Sequence, residues 1–151
     1  MSENGSSKLN HNRPDPQHQL AELAKTIWLE AAGEGYCGML AVGQVIMHRV
    51  ADIRWPNTPE RVVHDPYQFS CHNLDARTTE WRNARCRNMI QMESYADAWR
   101  AAAAAYFGTE PDLTDGACHY LAARVKDDTY WAEGKTPCAE IGNHLFFNDV
   151  A

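Results

Sequence analysis

Between Leu20 and Val50, apolar residues recur at helical spacing on both sides of a three-residue link, Gly33-Glu34-Gly35, and no other feature narrows the possible folds as much. In the first stretch Leu20, Leu23, Ala24, Ile27, Trp28 and Ala31 fall on one face of a helix. Asp15-Pro16 precede it as an N-cap and a first-turn proline, and Gly33 stands where helices commonly end on a glycine. The second stretch, Tyr36 to Ala51, is almost continuously apolar at Leu40, Val42, Val45, Ile46, Met47 and Val50, which predicts a central, buried helix. Ala41 and Gly43 leave room for a neighbour to come close. With so short a link the two helices are expected to form a hairpin.

The rest of the chain has to be arranged around that hairpin. Residues 52 to 80 are rich in Pro, Asn, Asp and Thr, with a short helix expected at Thr58-Pro59-Glu60, Thr58 being its N-cap. Tyr67-Gln68-Phe69-Ser70-Cys71 follows Asp65-Pro66 and reads as an ordered loop or short strand; loops this long in compact domains are often functional. Helical patterns resume over Asn83–Met92 and Tyr95–Phe107, the latter alanine-rich and ended by Gly108. Ala117–Leu121 and Ile141–Phe147 have the composition of strands, with a polar segment carrying Tyr130 and Trp131 between them. The expected class is therefore mainly α with a small β-hairpin or sheet (α+β). Residues 1–14, polar and Ser/Asn-rich, are expected to be a disordered tail, and residues 15–151 a single domain.

Charge and composition exclude several functions. A formal net charge of −6 argues against nucleic acid, whose binders carry a basic face. Nothing approaches the ~20-residue apolar run that spans a bilayer, so no stable membrane insertion is expected. The start, MSENGSSKLNHNRPDPQHQ, lacks the charged and apolar regions of a secretory signal, so the chain is expected to be made in the cytoplasm without a signal peptide. The five cysteines, Cys37, Cys71, Cys86, Cys118 and Cys138, are odd in number and form no C-x-x-C pair, so reduced thiols are expected, with Cys37, Cys118 and Cys138 packing as small hydrophobes.

The sharpest local feature is Ile27-Trp28-Leu29-Glu30-Ala31-Ala32-Gly33-Glu34. A glutamate on a helix is most often a solvated surface residue. Glu30, near a helix end and among apolar neighbours, would be disfavoured as an anion both by desolvation and by the negative end of the helix dipole. A carboxylic acid that keeps its proton is what protonation of a glycosidic oxygen requires.

The run Glu30-Ala31-Ala32-Gly33-Glu34, followed by Gly38, Ala41-Val42 and His48-Arg49-Val50, resembles the spore cortex-lytic, SleB/CwlJ-like cell wall hydrolase family. His48 stands where the family has asparagine. Further matches follow in order: Tyr67-Gln68-Phe69-Ser70, Gly116-Ala117 with Tyr120, Trp131, and Ile141-Gly142-Asn143-His144-Leu145-Phe146. The resemblance implies a lysozyme-like, lytic transglycosylase-type fold, with Glu30 as catalytic acid. The implied reaction cleaves peptidoglycan glycan strands between N-acetylmuramic acid and N-acetylglucosamine and leaves a 1,6-anhydromuramic end. One carboxylate suffices for that chemistry, and no cofactor or metal is needed. A monomer acting on peptidoglycan, without a signal or an attached wall-binding repeat, further resembles a phage endolysin that reaches the wall after holin-type release.

Glu34 is the candidate second carboxylate of a hydrolytic muramidase, or simply a charge that caps the second helix. Gln68, Phe69 and Ser70 are candidate substrate contacts or loop-ordering residues. Tyr120 and Trp131 suit saccharide faces but suit a core equally. Asn143 and His144, in an apolar strand, bind substrate or hold the Glu30 region. The rival readings are a non-catalytic glycan-binding module and a metal-dependent amidase. For the latter His48, His64, His72, His119 and His144 are scattered without H-E-x-x-H spacing, so none is expected to bind metal.

Overall fold

The computed structural model describes residues 14–66 and 68–151, so the expected tail over residues 1–13, and Tyr67, lie outside the described residues. Helix α1 runs Pro16–Ala31, and the Asp15 carboxylate accepts from the Gln17 amide at its start. A 3-10 turn, Ala32–Glu34, links it to α2, Gly35–Ala51. Helix α3, Pro59–Val63, begins at Thr58, whose hydroxyl accepts from the Arg61 amide. Helix α5, Glu93–Phe107, follows α4, Ala76–Cys86, and ends on Gly108 in the left-handed conformation at φ 65°.

The core lies where α1, α2 and α5 meet. Leu23, Ile27, Met39, Val42 and Ile46 are fully or almost fully buried, and they pack against Ala98, Ala101, Ala102 and Ala105 of α5. The alanine face lets α5 lie close to both helices of the hairpin. Gly43 is the tightest point: a Cβ there would sit 2.9 Å from Ile27 Cδ1 and 3.1 Å from Ala105 Cβ. Gly43→Ala is therefore expected to lose about 1–2 kcal/mol, overpacking outweighing the gain in helix propensity. The midpoint of urea unfolding measures it, and an unchanged or raised midpoint would mean that the helices can move apart.

Of the helix expected over Asn83–Met92, only residues 83–86 are α-helical, as the end of α4. Helix α4 starts seven residues earlier, where the Asp75 carboxylate accepts from the Thr78 amide, and residues 89–91 form a 3-10 turn. None of its residues is buried, so no apolar stripe marks it in the sequence. Among the described residues 68–72 there is a 3-10 turn, Ser70–His72, and no strand.

The sheet has three antiparallel strands in the order β1-β3-β2: β1 His119–Ala122, β2 Ala139–Ile141 and β3 His144–Phe147. The stretch Ile141–Phe147 is not one strand. Gly142, at φ 57°, and Asn143 make a two-residue turn between β2 and β3, and Ile141 pairs with His144. One face of the sheet, with Tyr120 and Phe146, packs on Ala41 and Val45 of α2. The other, with Leu121, Leu145 and Phe147, is covered by Ala132 and Trp131.

All five cysteines are unpaired. Cys37 is exposed on the first turn of α2 rather than packed in the core, and the buried thiol is Cys71. Among the described residues no helix is long and apolar enough to cross a membrane.

Candidate active site

Glu30 occupies the last turn of α1, half-buried, and points to the sheet. Tyr120 of β1 donates its hydroxyl to Glu30 Oε2 at 3.2 Å. Burial, and then the negative charge of Glu30, hold the Tyr120 phenol well above its usual range, so it is a neutral donor. The Cys71 thiol is pushed up in the same way, first by burial and then by the Glu30 charge, which places an un-ionised thiol beside the carboxyl. Among the described residues no lysine, arginine or histidine forms an ion pair with Glu30. The groups shown to meet the carboxyl, Tyr120 and Cys71, are thus neutral, and Tyr120 occupies one of its oxygens.

Behind this pair lies Arg49 of α2. Its guanidinium is buried, donates to the Cys118 carbonyl at 2.7 Å and to Gln68 Oε1 at 3.3 Å, and lies about 5 Å from the Trp55 and Phe69 rings. Burial lowers its pKa, yet guanidinium stays charged at any physiological pH. Arg49 therefore ties the 68–71 loop to β1, and Phe69, buried beneath it, lies 6.4 Å from the Tyr120 ring. In this arrangement Gln68 and Phe69 order the loop.

Glu34 stands at the N-cap position of α2 but makes no capping bond. Its backbone is helical at φ −94°, ψ −3°, not extended as side-chain capping needs. Instead its carboxylate accepts from the Asn143 amide at 3.2 Å, across 109 residues. Glu34 lies directly over Gly38 and Gly142; a Cβ at either would overlap it. The exposed Asn143 thus contributes its backbone to this clasp. His144 is buried beside Tyr120, with ring centroids 5.1 Å apart. Burial lowers its pKa against the opposing charges of Glu34 and Glu30, so the ring is neutral, and its Nδ1 has no hydrogen-bond partner.

Ser70, Cys71, Arg77, Thr78 and Trp81 line a cleft of about 290 Å³. Cys71 belongs to both the cleft wall and the surroundings of Glu30, and so links the two. Trp81 of α4 is 43% exposed, with Arg85 stacked between it and Trp28. A larger cavity, about 360 Å³, is lined by His64, Phe69, His72 and Leu74; Glu30 lines neither of the two. Trp131 lies on the opposite face of the sheet, 5.3 Å from His119 and 5.4 Å from Phe147, and is not brought to Glu30.

Cys71, Arg49 and Trp81 were not among the sequence-derived candidates. Arg49 is carried by the His48-Arg49-Val50 run, and Trp81 by an aromatic residue in an otherwise polar helix. Cys71 leaves no signal, because the loop alone brings it to Glu30. The histidines considered as metal ligands are dispersed: His48 pairs with Asp112 at 3.3 Å, His119 lies between Trp55 and Trp131, and His64 packs at a tilt against His72.

The model of the cell wall hydrolase family matches residues 33–147, beginning three residues after Glu30. The chain is 26% identical over 130 residues to a spore cortex-lytic enzyme of Bacillus cereus, covering 86% of this chain and 44% of that protein. It is 27% identical over 124 residues to the spore cortex-lytic enzyme of Bacillus subtilis, covering 82% of this chain and 35% of that one. The chain thus spans less than half the length of these relatives. The catalytic domain of the germination-specific lytic transglycosylase SleB from Bacillus anthracis superposes with a TM-score of 0.67 at 25% identity, covering 89% of this chain and 99% of that domain. The Bacillus cereus SleB catalytic domain gives 0.66, at 25% identity, covering 95% and 99%.

Proposed function

The chain belongs to the cell wall hydrolase family, with the fold of the SleB catalytic domains, and from that premise we propose that it cleaves peptidoglycan glycan strands. The bond cut is that between N-acetylmuramic acid and N-acetylglucosamine, and the product is a 1,6-anhydromuramic end. The observation that carries this reading is the Glu30 carboxyl, with one oxygen held by a neutral tyrosine, no cation paired to it among the described residues, and beside it the Cys71 thiol that lines a cleft. Such a carboxyl can carry its proton to the substrate and take another back.

In the proposed mechanism the protonated Glu30 oxygen gives its proton to the glycosidic oxygen as the bond from that oxygen to the muramic C1 breaks. Positive charge develops on C1 and its ring oxygen, opposite the carboxylate now formed. That carboxylate takes the proton from the muramic 6-hydroxyl while the oxygen closes on C1, restoring the acid. Tyr120 fixes Oε2 through both steps and leaves the other oxygen to the sugar. Trp81 offers an apolar face for a sugar ring, and Ser70 and Thr78 offer hydroxyls.

Mass spectrometry of the soluble products released from intact sacculi tests the reading: anhydro ends are expected. Reducing ends would favour the hydrolytic alternative. That alternative has its own support: Glu34 is a second carboxylate held in place by the Asn143 amide, near the same His144 ring as Glu30. Tyr120→Phe is expected to lower the rate about 10–100-fold, the loss of one hydrogen bond to a charged group, with little change in KM. A parent-like rate would show that Tyr120 only packs. We further place the protein as a phage-type endolysin, made in the cytoplasm and admitted to the wall by holin-type release; secretion of the intact chain by an uninfected bacterium would overturn that placement.

A further inference from the structure

Away from the cleft, α1 and α3 each present one imidazole and one carboxylate to the other. His18 and Glu22 stand one turn apart on α1, and Glu60 of α3 stands one turn before His64, the residue that ends that helix. Spacing of i,i+4 puts each pair on a single helix face. The pairing is crossed: His18 Nε2 lies 3.1 Å from Glu60 Oε2, and His64 Nε2 lies 2.8 Å from Glu22 Oε2. Gln19 locks the two helices together, accepting from the Glu60 amide at 2.9 Å.

One ligand atom each from His18, Glu22 and Glu60 falls within 4.8 Å of the other two. Ligands about 2.0–2.2 Å from a tetrahedral zinc are roughly 3.3–3.6 Å apart, so small side-chain movements would let all three reach one ion. We propose that His18, Glu22 and Glu60 bind a divalent transition-metal ion of the zinc class, with His64 holding Glu22 in position and water completing the shell. Imidazole and carboxylate donors suit such an ion, and two carboxylates with a neutral imidazole balance its charge. The site is open to solvent, with the His18 side chain 50% and Glu60 43% exposed, so the ion can enter without unfolding. Without metal, Glu60 draws a proton onto His18, which raises the imidazole's pKa; the ion would displace that proton.

The site is distinct from the proposed reaction centre. Glu22 and Glu30 lie eight residues apart on α1, about 12 Å along its axis. The ion would instead brace α1 against α3, and α3 leads directly into the loop that carries Phe69 and Cys71.

The test uses the full chain, stripped with chelator and titrated with zinc by calorimetry and with cobalt by visible absorption. One equivalent is expected, with cobalt d–d bands and no sulfur-to-cobalt charge-transfer band. Glu60→Gln and His18→Ala are each expected to abolish uptake, and His64→Ala to weaken it about 10–100-fold, as loss of an outer partner does. Circular dichroism of each metal-free variant establishes that it is folded; all three residues have exposed or half-exposed side chains. No uptake by the parent, uptake unaltered in Glu60→Gln, or a thiolate band in the cobalt spectrum would each overturn the site and leave two plain ion pairs.

Discussion

Glu30→Gln is expected to slow solubilisation of intact sacculi by about 10²–10⁴-fold, the contribution of a well-placed general acid, while the unfolding midpoint stays close to that of the parent. Glutamine keeps the shape of the side chain and still accepts from the Tyr120 hydroxyl, which sits 3.2 Å from Glu30 Oε2. What it cannot do is give a proton to a glycosidic oxygen or take one from the 6-hydroxyl. Both halves of the proposed cycle then fail at one atom, so the loss should fall on kcat and not on KM. Glu34→Gln makes the informative comparison. In the single-carboxylate scheme it loosens the Asn143 clasp and costs little rate; in the hydrolytic scheme it costs nearly as much as Glu30→Gln. A Glu30→Gln protein that clears sacculi at the parent rate would remove Glu30 from the mechanism.

Lowering the pH from 7 towards 4 is expected to destabilise the fold by about 3 kcal/mol through His72 alone. His72 is buried, 2.7 Å from the Thr26 hydroxyl and packed against the His64 ring, and burial pushes its pKa down to about 4 from 6.5. The folded state thus takes up its proton at a lower pH than the unfolded chain does. Stability is fully present above pH 6.5, falls as the unfolded chain protonates, and levels off near pH 4, where the folded His72 also titrates. His119, lowered to about 4 by burial and by Arg49 and Arg54, acts in the same direction. His18 acts the other way, since Glu60 raises it, but its exposed position keeps that contribution small. Urea midpoints at pH 7, 6, 5 and 4 measure the net slope, and His72→Gln should flatten it. A slope that survives that substitution unchanged would place the titration elsewhere.

What the sequence made legible follows from where burial is. The α1–α2 hairpin and α5 bury broad apolar faces, so their periodicity marked them, down to the Asp15 cap and the Gly108 stop. Helix α4 buries nothing and was misplaced, although Asp75 three residues before Thr78 carries a capping signal. The β2–β3 turn was hidden because Gly142-Asn143 lies between apolar residues that read together as one strand, although a glycine followed by asparagine is itself a turn signal. At the site, Glu30 and Tyr120 were named from the sequence, but not the hydrogen bond that joins them. Trp131 was grouped with them because an aromatic residue near a strand carries no mark of which face it will cover. Cys71 reaches Glu30 only through the fold of a loop, which no spacing encodes.

The bond between Glu34 and the Asn143 amide joins the beginning of the domain to its end, and Glu30 meets Tyr120 across 90 residues. A ribosome releases these partners in order, the acid early and its tyrosine and the final hairpin late. Until residues 120–143 have been made, the nascent chain therefore holds both glutamates without these partners. The capacity to attack a wall, on the reading proposed above, is withheld until the chain has been made through Asn143, a safeguard for the producing cell that arises from chain order alone.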